Sequence, residues 1–353
     1  MTDPLQITLS VVDQSPIRKG GTPSEALWES VGLAQHVENV GYSRYWVAEH
    51  HNSSSFAGTS PEILVGQIAA QTASIRIGSG GVMLSHYSAL KVAEQFSVLG
   101  SLYPGRIDLG IGRAPGSDGL TAAALVYPRP HMNVQRDFPQ MIEDLMGFLH
   151  GALKESHPLA GIRAQPGEPD GTAPDVWLLG SSDYSARLAA AMGLPFSFAD
   201  FFGNTGEHGP QVADIYRNEF RPSAYLSEPK VNVALQVICA ATEAEARFIG
   251  ASRSLNKIIS AGGLTTGGLL PPEEAVHWPL DDDAKAYISQ STKSYIEGDL
   301  DQVREGILAA AERYQTSDIG IVTNCYYFEH RKRSYELVAE CLGVTSSSSD
   351  VRR

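Results

Sequence analysis

The fold follows from a pattern that is clearest at residues 102–111, Leu-Tyr-Pro-Gly-Arg-Ile-Asp-Leu-Gly-Ile. Leu102 ends a segment of helical periodicity that begins at Ala89, and the Pro-Gly pair at 104–105 stops this helix. Residues 107–111 then have the short apolar pattern of a buried strand. A helix that leads through a tight turn into a buried strand is the repeating unit of a parallel α/β fold.

Extending this pattern toward both ends of the chain gives eight strands that alternate with helices. The predicted strands span residues 7–12, 45–48, 75–78, 107–111, 176–180, 195–198, 231–240 and 318–322. A doubly wound sheet needs fewer strands and usually carries a glycine fingerprint after the first strand, which residues 13–16, Asp-Gln-Ser-Pro, lack. The sequence therefore predicts an α/β fold of the (β/α)8 TIM-barrel type.

The 353 residues would allow two domains, but eight βα units use most of them. We therefore predict a single domain over residues 1–345, followed by a disordered, serine-rich tail at 346–353. Two segments do not fit the alternation of strands and helices. They are a Gly- and Pro-rich loop at 151–173 and a Gly-, Pro- and Asp-rich segment at 262–283. Because long loops inside compact domains are usually functional, the second predicts a long lid insertion after strand 7, over about residues 255–290.

Composition excludes several classes of protein. The 40 acidic residues against 27 basic ones give a net charge of −13, which disfavours nucleic acid and an anionic membrane as partners. Three cysteines without a CxxC pair predict neither a disulfide scaffold nor a zinc site. The N-terminus lacks the pattern of a signal peptide, and no apolar run approaches the ~18 residues of a membrane span. We expect a cytoplasmic protein that acts on a small molecule.

The chemistry of a TIM barrel lies at the carboxyl ends of its strands, and Glu49, His50 and His51 follow strand two. Because successive side chains on a strand point to opposite faces, His50 and His51 cannot both face one pocket without a bend. No metal site is predicted, because the chain lacks HExxH and further ligands near these residues. The alternative for each residue alone is structural, as a loop-capping histidine or an ion-paired glutamate.

Two later strand ends are suited to an anion. Gly112 and Arg113 follow strand four, where glycine permits close approach and arginine can bind a phosphate through two hydrogen bonds. Ser182 and Ser185 open the helix after strand five, so free N–H groups and hydroxyls can bind the same anion, although plain N-capping is an alternative. Earlier in the chain, the pair at 80–81, Gly-Gly, would let a ligand ring approach, or form a tight bend.

Together these segments resemble the bacterial luciferase-like flavin monooxygenase family. The resemblance is densest from about residue 5 to 120, where Glu-His-His at 49–51, Pro-Gly-Arg-Ile-Asp-Leu-Gly at 104–110 and Gly-Arg at 112–113 occur in order. It resumes at 179–195 and covers roughly two thirds of the chain. The joint occurrence of these motifs is specific, whereas no single one of them is.

The resemblance implies a two-component, FMN-dependent monooxygenase. A separate flavin reductase would supply reduced FMN, which reacts with O2 to give a C4a-peroxyflavin that oxygenates a small organic substrate, such as an aldehyde or an aromatic metabolite. By similarity, His50 would be the active-site histidine, with a pKa tunable around neutrality, and Glu49 would orient a neighbouring group. Closure of the lid would exclude water.

The resemblance also assigns the cofactor contacts. Arg113, Ser182 and Ser185 would hold the FMN phosphate, and Gly80-Gly81 would form a non-prolyl cis peptide against the flavin ring. One departure concerns Gly112, which stands where luciferases carry a reactive cysteine. This puts light emission in doubt and predicts extra space beside the flavin for a bulkier substrate.

Further properties of the family are expectations here. Members commonly dimerise through early helices, so a homodimer is expected. The same barrel family includes enzymes that use the deazaflavin F420 for hydride transfer without O2, and this is the alternative function. A third alternative is a flavin-binding protein without turnover.

Overall fold

A closed ring of parallel strands forms the centre of the molecule. The computed structural model describes residues 6–114, 116–128, 134–166, 172–203, 205 and 207–345, so the predicted tail at 346–353 lies outside the described residues. The strands are β1 (Thr8–Asp13), β2 (Arg44–Val47), β3 (Arg76–Met83), β4 (Ile107–Gly112), β5 (Asp175–Gly180), β6 (Phe196–Ala199), β7 (Val231–Cys239), β8 (Ile296–Gly298) and β9 (Asp318–Val322). All except β8 form the ring, in the order β1 to β7 and then β9, which pairs with β1.

Helices surround this ring on the outside. They are α1 (Pro23–Asn39), α2 (Pro61–Gln71), α3 (Ala89–Leu102), α4 (Gly119–Val126), α5 (Val134–Leu149), α6 (Asp183–Met192), α7 (Gly209–Glu219), α8 (Glu243–Ala261), α9 (Pro272–Ala275), α10 (Asp282–Ser291), α11 (Leu300–Tyr314) and α12 (Phe328–Cys341). The predicted (β/α)8 barrel is therefore confirmed. None of the helices in the described part of the chain is long and apolar enough to cross a membrane.

The local sequence explains where these elements form. Strands β2, β4 and β7 are buried at every residue, because helices cover the outer face of the sheet and side chains fill the inner face. Helix α1 begins at a capping box, in which the Thr22 hydroxyl accepts from the Glu25 N–H at 3.2 Å and the Glu25 carboxylate accepts from the Thr22 N–H at 2.7 Å. Thr242 caps α8 through its hydroxyl, which accepts from the Glu245 N–H at 3.2 Å.

The structure corrects the strand count. The segment predicted as the eighth strand is β9, the eighth strand of the barrel, whereas β8 pairs with the end of β7 outside the ring. Sequence analysis missed β8, because three residues, Ile-Glu-Gly, are too short to show an alternating pattern. It also missed α4 and the short helices α9 and α10.

Two tryptophans fill the interior of the barrel. The rings of Trp46 and Trp177 pack edge to face with centroids 5.4 Å apart, and small apolar side chains of Val12, Ala234 and Val322 surround them. On the amino-terminal side, the Arg44 guanidinium lies 4.7 Å and 4.8 Å from the two ring centroids. This layer makes the barrel solid and forms a floor beneath its carboxyl-terminal mouth.

The long insertion after strand 7 lies at that mouth. Asn256 near the end of α8 accepts a hydrogen bond from Ser55 in the β2–α2 loop at 3.2 Å, and Lys257 donates to the Phe202 carbonyl after β6. Farther along, Leu269 exchanges two backbone hydrogen bonds with the 17–19 segment after β1. The insertion therefore begins earlier than the Gly-rich segment, because the last turns of α8 already span the mouth between β2 and β6.

A buried ion pair joins the last helix to the first strand. Arg331 of α12 donates to the Asp13 carboxylate at the end of β1, and the two side chains are 1% and 0% exposed. The Tyr45 hydroxyl and the Ser15 N–H also donate to this carboxylate, at 2.5 and 2.8 Å. Burial raises the pKa of Asp13, but the Arg331 charge and these hydrogen bonds outweigh it and hold the pKa below its ordinary value.

Replacing Arg331 by methionine should lower the free energy of unfolding by about 3–5 kcal/mol, because the Asp13 carboxylate stays buried without its cation. The matched control is Arg333→Met on the same helix, since Arg333 is 59% exposed and pairs with Glu336 at the surface. The control should cost less than about 1 kcal/mol. Urea unfolding measures both, and equal losses would contradict the structural role of the buried pair.

Candidate active site

All the residues predicted for the site meet in one cleft. It lies at the carboxyl ends of the barrel strands, and its free volume including the open mouth is about 880 Å³. The predicted residues that line it are Glu49, His50, Gly80, Gly81, Gly112, Arg113, Ser182 and Ser185. The remaining walls include apolar side chains of Val12, Leu179, Phe201 and Phe202, so the cleft has a polar side and an apolar side.

The Gly80–Gly81 segment presents bare backbone to the cleft. Its peptide bond is cis, as the family resemblance implied, and the register of β3 against β4 shifts between Gly80 and Val82. A Cβ on Gly81 would lie 2.7 Å from the Gly110 carbonyl oxygen, and one on Gly80 would lie 3.0 Å from the Trp46 Cβ. A side chain at residue 81 would therefore collide with the backbone of β4, and one at residue 80 would be tightly packed against Trp46.

The Glu49 carboxylate is fully buried and accepts hydrogen bonds from three groups of the site. Its Oε2 receives the Met83 N–H at 3.0 Å, and its Oε1 lies 2.7 Å from both the Tyr87 hydroxyl and Nε2 of His51. Burial and then the nearby Glu49 raise the pKa of Tyr87 above its ordinary value. Glu49 thus forms hydrogen bonds with Tyr87 and His51, so the orienting role predicted for it would concern His51 rather than His50.

The two histidines separate, as the alternation along a strand requires. His51 turns toward Glu49, while His50 lines the cleft and packs its ring against Phe56 with centroids 4.7 Å apart. Burial and then the neighbouring His51 lower the pKa of His50 to about 4. The expectation of a pKa near neutrality is therefore wrong, and the ring is neutral at physiological pH.

One ring nitrogen of His50 is buried without a partner. Its Nδ1 makes no hydrogen bond within the described part of the chain, although its backbone N–H donates to the Gly58 carbonyl at 2.7 Å. A buried polar atom in this state needs a partner from outside the chain. In its neutral form the ring can accept or donate a proton at a bound molecule.

Gly112 does not open the extra space that its sequence predicts. A Cβ at this position would lie 3.0 Å from the Met83 sulfur, which fills the volume that a larger residue would take. Met83 itself lines the cleft. The Met83 thioether therefore occupies the space beside Gly112, the residue that stands where luciferases carry a cysteine. The prediction of room for a bulkier substrate is wrong beside Gly112.

The anion-binding residues cluster at one side of the cleft. The Arg113 guanidinium lies 4.3 Å from the Tyr184 ring and forms no ion pair with the described carboxylates. Ser182 is the N-cap residue of α6, and its hydroxyl makes no capping hydrogen bond. Plain N-capping therefore does not account for Ser182, and its hydroxyl is free for a ligand.

Gly180 makes room for the second serine of this group. Ser185 is buried in the first turn of α6, and a Cβ on Gly180 would collide with its hydroxyl. Asp183 beside it points outward, 64% exposed and 3.8 Å from Arg187. An uncommitted cation, two hydroxyls and a helix N-terminus together suit a phosphate group.

Sequence analysis missed Met83, Tyr87 and Gln14 as site residues. Met83 and Gln14 line the cleft, and Tyr87 binds the buried Glu49 carboxylate. The rule that selects strand ends could have found Met83, the last residue of β3, and Gln14, which follows β1 directly, whereas Tyr87 lies four residues beyond β3. Among the described residues, no group of three or more His, Cys, Asp or Glu side chains is arranged to hold a metal ion.

Comparison with known proteins identifies the family. The profile of the luciferase-like monooxygenase family matches residues 7–316. The chain belongs to the luciferase-like monooxygenases. It is thus an enzyme of the monooxygenase class, as the resemblance of its sequence motifs implied.

Relatives of similar length support this assignment. A luciferase-like monooxygenase of Escherichia coli (strain K12) is 38% identical, covering 96% of this chain and 98% of its own length. The N-acetyl-S-alkylcysteine monooxygenase of Bacillus subtilis (strain 168) is 36% identical, covering 95% and 98%. The crystal structure of apo-MsnO8 superposes with a TM-score of 0.86 at 37% identity, covering 96% of this chain and 99% of that one.

More distant structures share the fold. The oxygenating constituent of 3,6-diketocamphane monooxygenase of Pseudomonas putida, solved with FMN, has a TM-score of 0.69 at 19% identity and covers 95% and 97%. An F420-dependent secondary alcohol dehydrogenase has a TM-score of 0.66 at 14% identity and covers 96% and 99%. At these identities the likeness concerns the barrel alone.

Replacing His50 by glutamine should flatten the pH dependence of stability between pH 6.5 and 4. The unfolded chain protonates His50 at the ordinary pKa of 6.5, whereas the folded chain does so only near 4. The free energy of unfolding of the wild type therefore falls as the pH drops through this interval, by at most about 3 kcal/mol from this residue. The variant should lack this component in urea unfolding at pH 6.5, 5 and 4.

The control is His277→Gln, at an exposed histidine of the insertion. It should keep the pH dependence of the wild type. If His50→Gln follows the same curve as the wild type, burial does not keep His50 neutral.

Proposed function

We propose that this chain is the oxygenase component of a two-component monooxygenase that uses reduced FMN and O2. One observation carries the proposal: a single cleft joins the uncommitted Arg113 and the start of α6 to the bare Gly80–Gly81 backbone and the unpartnered, neutral His50. When bound, reduced FMN supplies the electrons that activate O2. The residues of the chain bind and orient the reactants, exclude water and manage protons.

The phosphate would be held by Arg113, Ser182 and Ser185. A net charge of −13 repels an anionic cofactor at long range, so binding needs a local cation that no carboxylate neutralises. Arg113 meets this requirement among the described residues, and the N–H groups in the first turn of α6 add a favourable dipole. The donor set therefore fits a phosphate monoester.

The flavin ring would lie against the Gly80–Gly81 backbone. Leu179 and Phe201 provide flat apolar surface on the other walls, which favours a planar aromatic group. His50 lines the same cleft, so its Nδ1 can hold or move a proton at the reacting oxygen. Glu49 would act indirectly, because its bonds to Met83, Tyr87 and His51 fix the strand ends on which His50 and the glycines lie.

The substrate is a small organic molecule that enters from the apolar side. Phe202 is half exposed at the mouth, so aldehydes, aromatic metabolites and thioethers can all contact apolar surface there. A relative's name specifies an N-acetyl-S-alkylcysteine, which is a thioether. The cleft is open to solvent, so we propose that reduced FMN arrives from a separate flavin reductase, and that both proteins are cytoplasmic.

We also propose that the chain forms a homodimer through its early helices. Ile63 on α2 and Leu102 on α3 are 71% and 64% exposed, and Val98 on α3 is 45% exposed. Large apolar side chains on adjacent helices are typical of a surface that a partner covers.

Replacing Arg113 by methionine should weaken FMN binding about tenfold or more, because the phosphate loses its charged donor. Riboflavin lacks the phosphate, so its affinity should stay within about twofold of the wild-type value. Titration of flavin fluorescence measures both ligands. The matched control is Arg187→Met on α6, an exposed arginine paired with Glu219, which should bind FMN as the wild type does. Equal weakening of FMN and riboflavin would remove Arg113 from the phosphate site.

The activity itself is tested by mixing the protein and reduced FMN with O2 in a stopped-flow instrument. We expect the protein to change the rate at which O2 oxidises the flavin, and we expect His50→Ala to alter that rate while FMN affinity changes less than about threefold. An oxidation rate identical to that of free flavin contradicts the proposal. Anaerobic hydride transfer with F420 would support the F420 alternative, and bound flavin with no turnover would support the non-catalytic one.

A further inference from the structure

One side chain in the wall of the cleft is itself oxidisable, and the proposed function gives it no role. Met83 is the last residue of β3, is partly buried, and lines the cleft together with His50 and the Gly80–Gly81 pair. Its backbone N–H donates to Oε2 of Glu49 at 3.0 Å, which holds the residue at the strand end. A thioether is a soft, polarisable group that peroxides convert to a sulfoxide.

The contacts of Met83 place its sulfur beside bare backbone. A Cβ on Gly112 would lie 3.0 Å from the Met83 sulfur and 3.4 Å from its methyl carbon, and Gly112 itself lines the cleft. A Cβ on Gly116 would lie 3.3 Å from Cγ of Met83. The thioether therefore lies between two glycines, neither of which has a side chain to cover it.

Two other methionines provide a comparison within the same chain. Met141 on α5 and Met192 on α6 are partly buried, as Met83 is, but they pack against the hydrophobic core and are not among the residues that line the cleft. Oxidation by peroxide in bulk solvent depends on exposure and does not favour the cleft. An oxidant that forms inside the cleft reaches Met83 first.

We propose that Met83 is a site of self-oxidation, at which the enzyme oxygenates its own thioether when no organic substrate accepts the oxygen. The proposal rests on the proposed flavin function, because reduced FMN and O2 are the source of the oxidant. It assigns a covalent modification to a residue that lines the cleft but binds neither the phosphate nor the proton in the proposed function.

The step balances without a further reactant. O2 takes two electrons and two protons from reduced FMN and becomes hydrogen peroxide. A lone pair of the Met83 sulfur attacks one peroxide oxygen, so that an S–O bond forms and the O–O bond breaks. The proton on the transferred oxygen passes to the leaving hydroxide, which departs as water. The sulfur loses two electrons and the peroxide gains them, and the product is methionine sulfoxide.

The modification has a consequence for the cofactor. The thioether already fills the space beside Gly112, so an added polar oxygen takes volume from the cleft. Oxidation of Met83 should therefore weaken FMN binding about threefold or more, and methionine sulfoxide reductase should restore the affinity.

The first test requires no turnover. The protein without flavin is treated with hydrogen peroxide, and peptide mass spectrometry follows the gain of one oxygen atom at Met83, Met141 and Met192. Saturating oxidised FMN, added without a reductant, covers the cleft and should slow oxidation of Met83 at least about threefold. Oxidation of Met141 and Met192 should be unchanged, because neither lines the cleft.

The second test reverses this protection by turnover. The protein is incubated in air with FMN, a flavin reductase and NADH, and catalase removes the peroxide that escapes into solvent. Met83 should then be oxidised at least about tenfold more than Met141 and Met192. The matched variant is Met83→Leu, which offers no sulfur at this position. Its FMN affinity after turnover should equal its own affinity before turnover, whereas that of the wild type should fall.

The outcomes separate the two proposals. Equal oxidation of the three methionines during turnover, no protection of Met83 by oxidised FMN, or an FMN affinity that survives oxidation of Met83 would overturn the inference. FMN titration of the wild type supplies the distinction: absence of FMN binding contradicts the proposed function. Intact FMN binding and flavin turnover without sulfoxide at Met83 contradict the self-oxidation alone.

Discussion

The geometry of the cleft depends on the buried carboxylate of Glu49. It lies directly after β2 and accepts from the Met83 N–H at the end of β3, from the Tyr87 hydroxyl and from His51. A buried carboxylate that loses its donors costs several kcal/mol, so these contacts fix the ends of two strands against each other. The Gly80–Gly81 backbone and His50 lie on those two strand ends, and their relative position follows from this one group.

The distribution of charge favours an anionic group at one side of the cleft. The chain carries a net charge of −13, yet Arg113 after β4 lies at the cleft and forms no ion pair with the described carboxylates. Because a low-dielectric surrounding strengthens the local field, an anionic group can be bound at this point while the protein as a whole stays acidic.

The barrel and the members of the site could be predicted from sequence, but their interactions could not. The ends of strands can be recognised from local sequence. Because the active-site residues of TIM barrels lie at the carboxyl ends of strands, Glu49, His50 and Arg113 could be predicted. The pKa of His50 depends on burial by distant segments, and the space at Gly112 depends on the Met83 rotamer, so both expectations were wrong. The three residues of β8 were too short to give a pattern.

A crystal structure of the full-length protein with FMN would show directly whether this cleft holds the flavin. We expect the phosphate in contact with Arg113, Ser182 and Ser185, and the flavin ring against the Gly80–Gly81 peptide with His50 at its edge. A phosphate bound elsewhere, for example among Arg44, Arg217 and Lys230 at the amino-terminal end of the barrel, would contradict it. So would a flavin ring that does not contact the glycine pair.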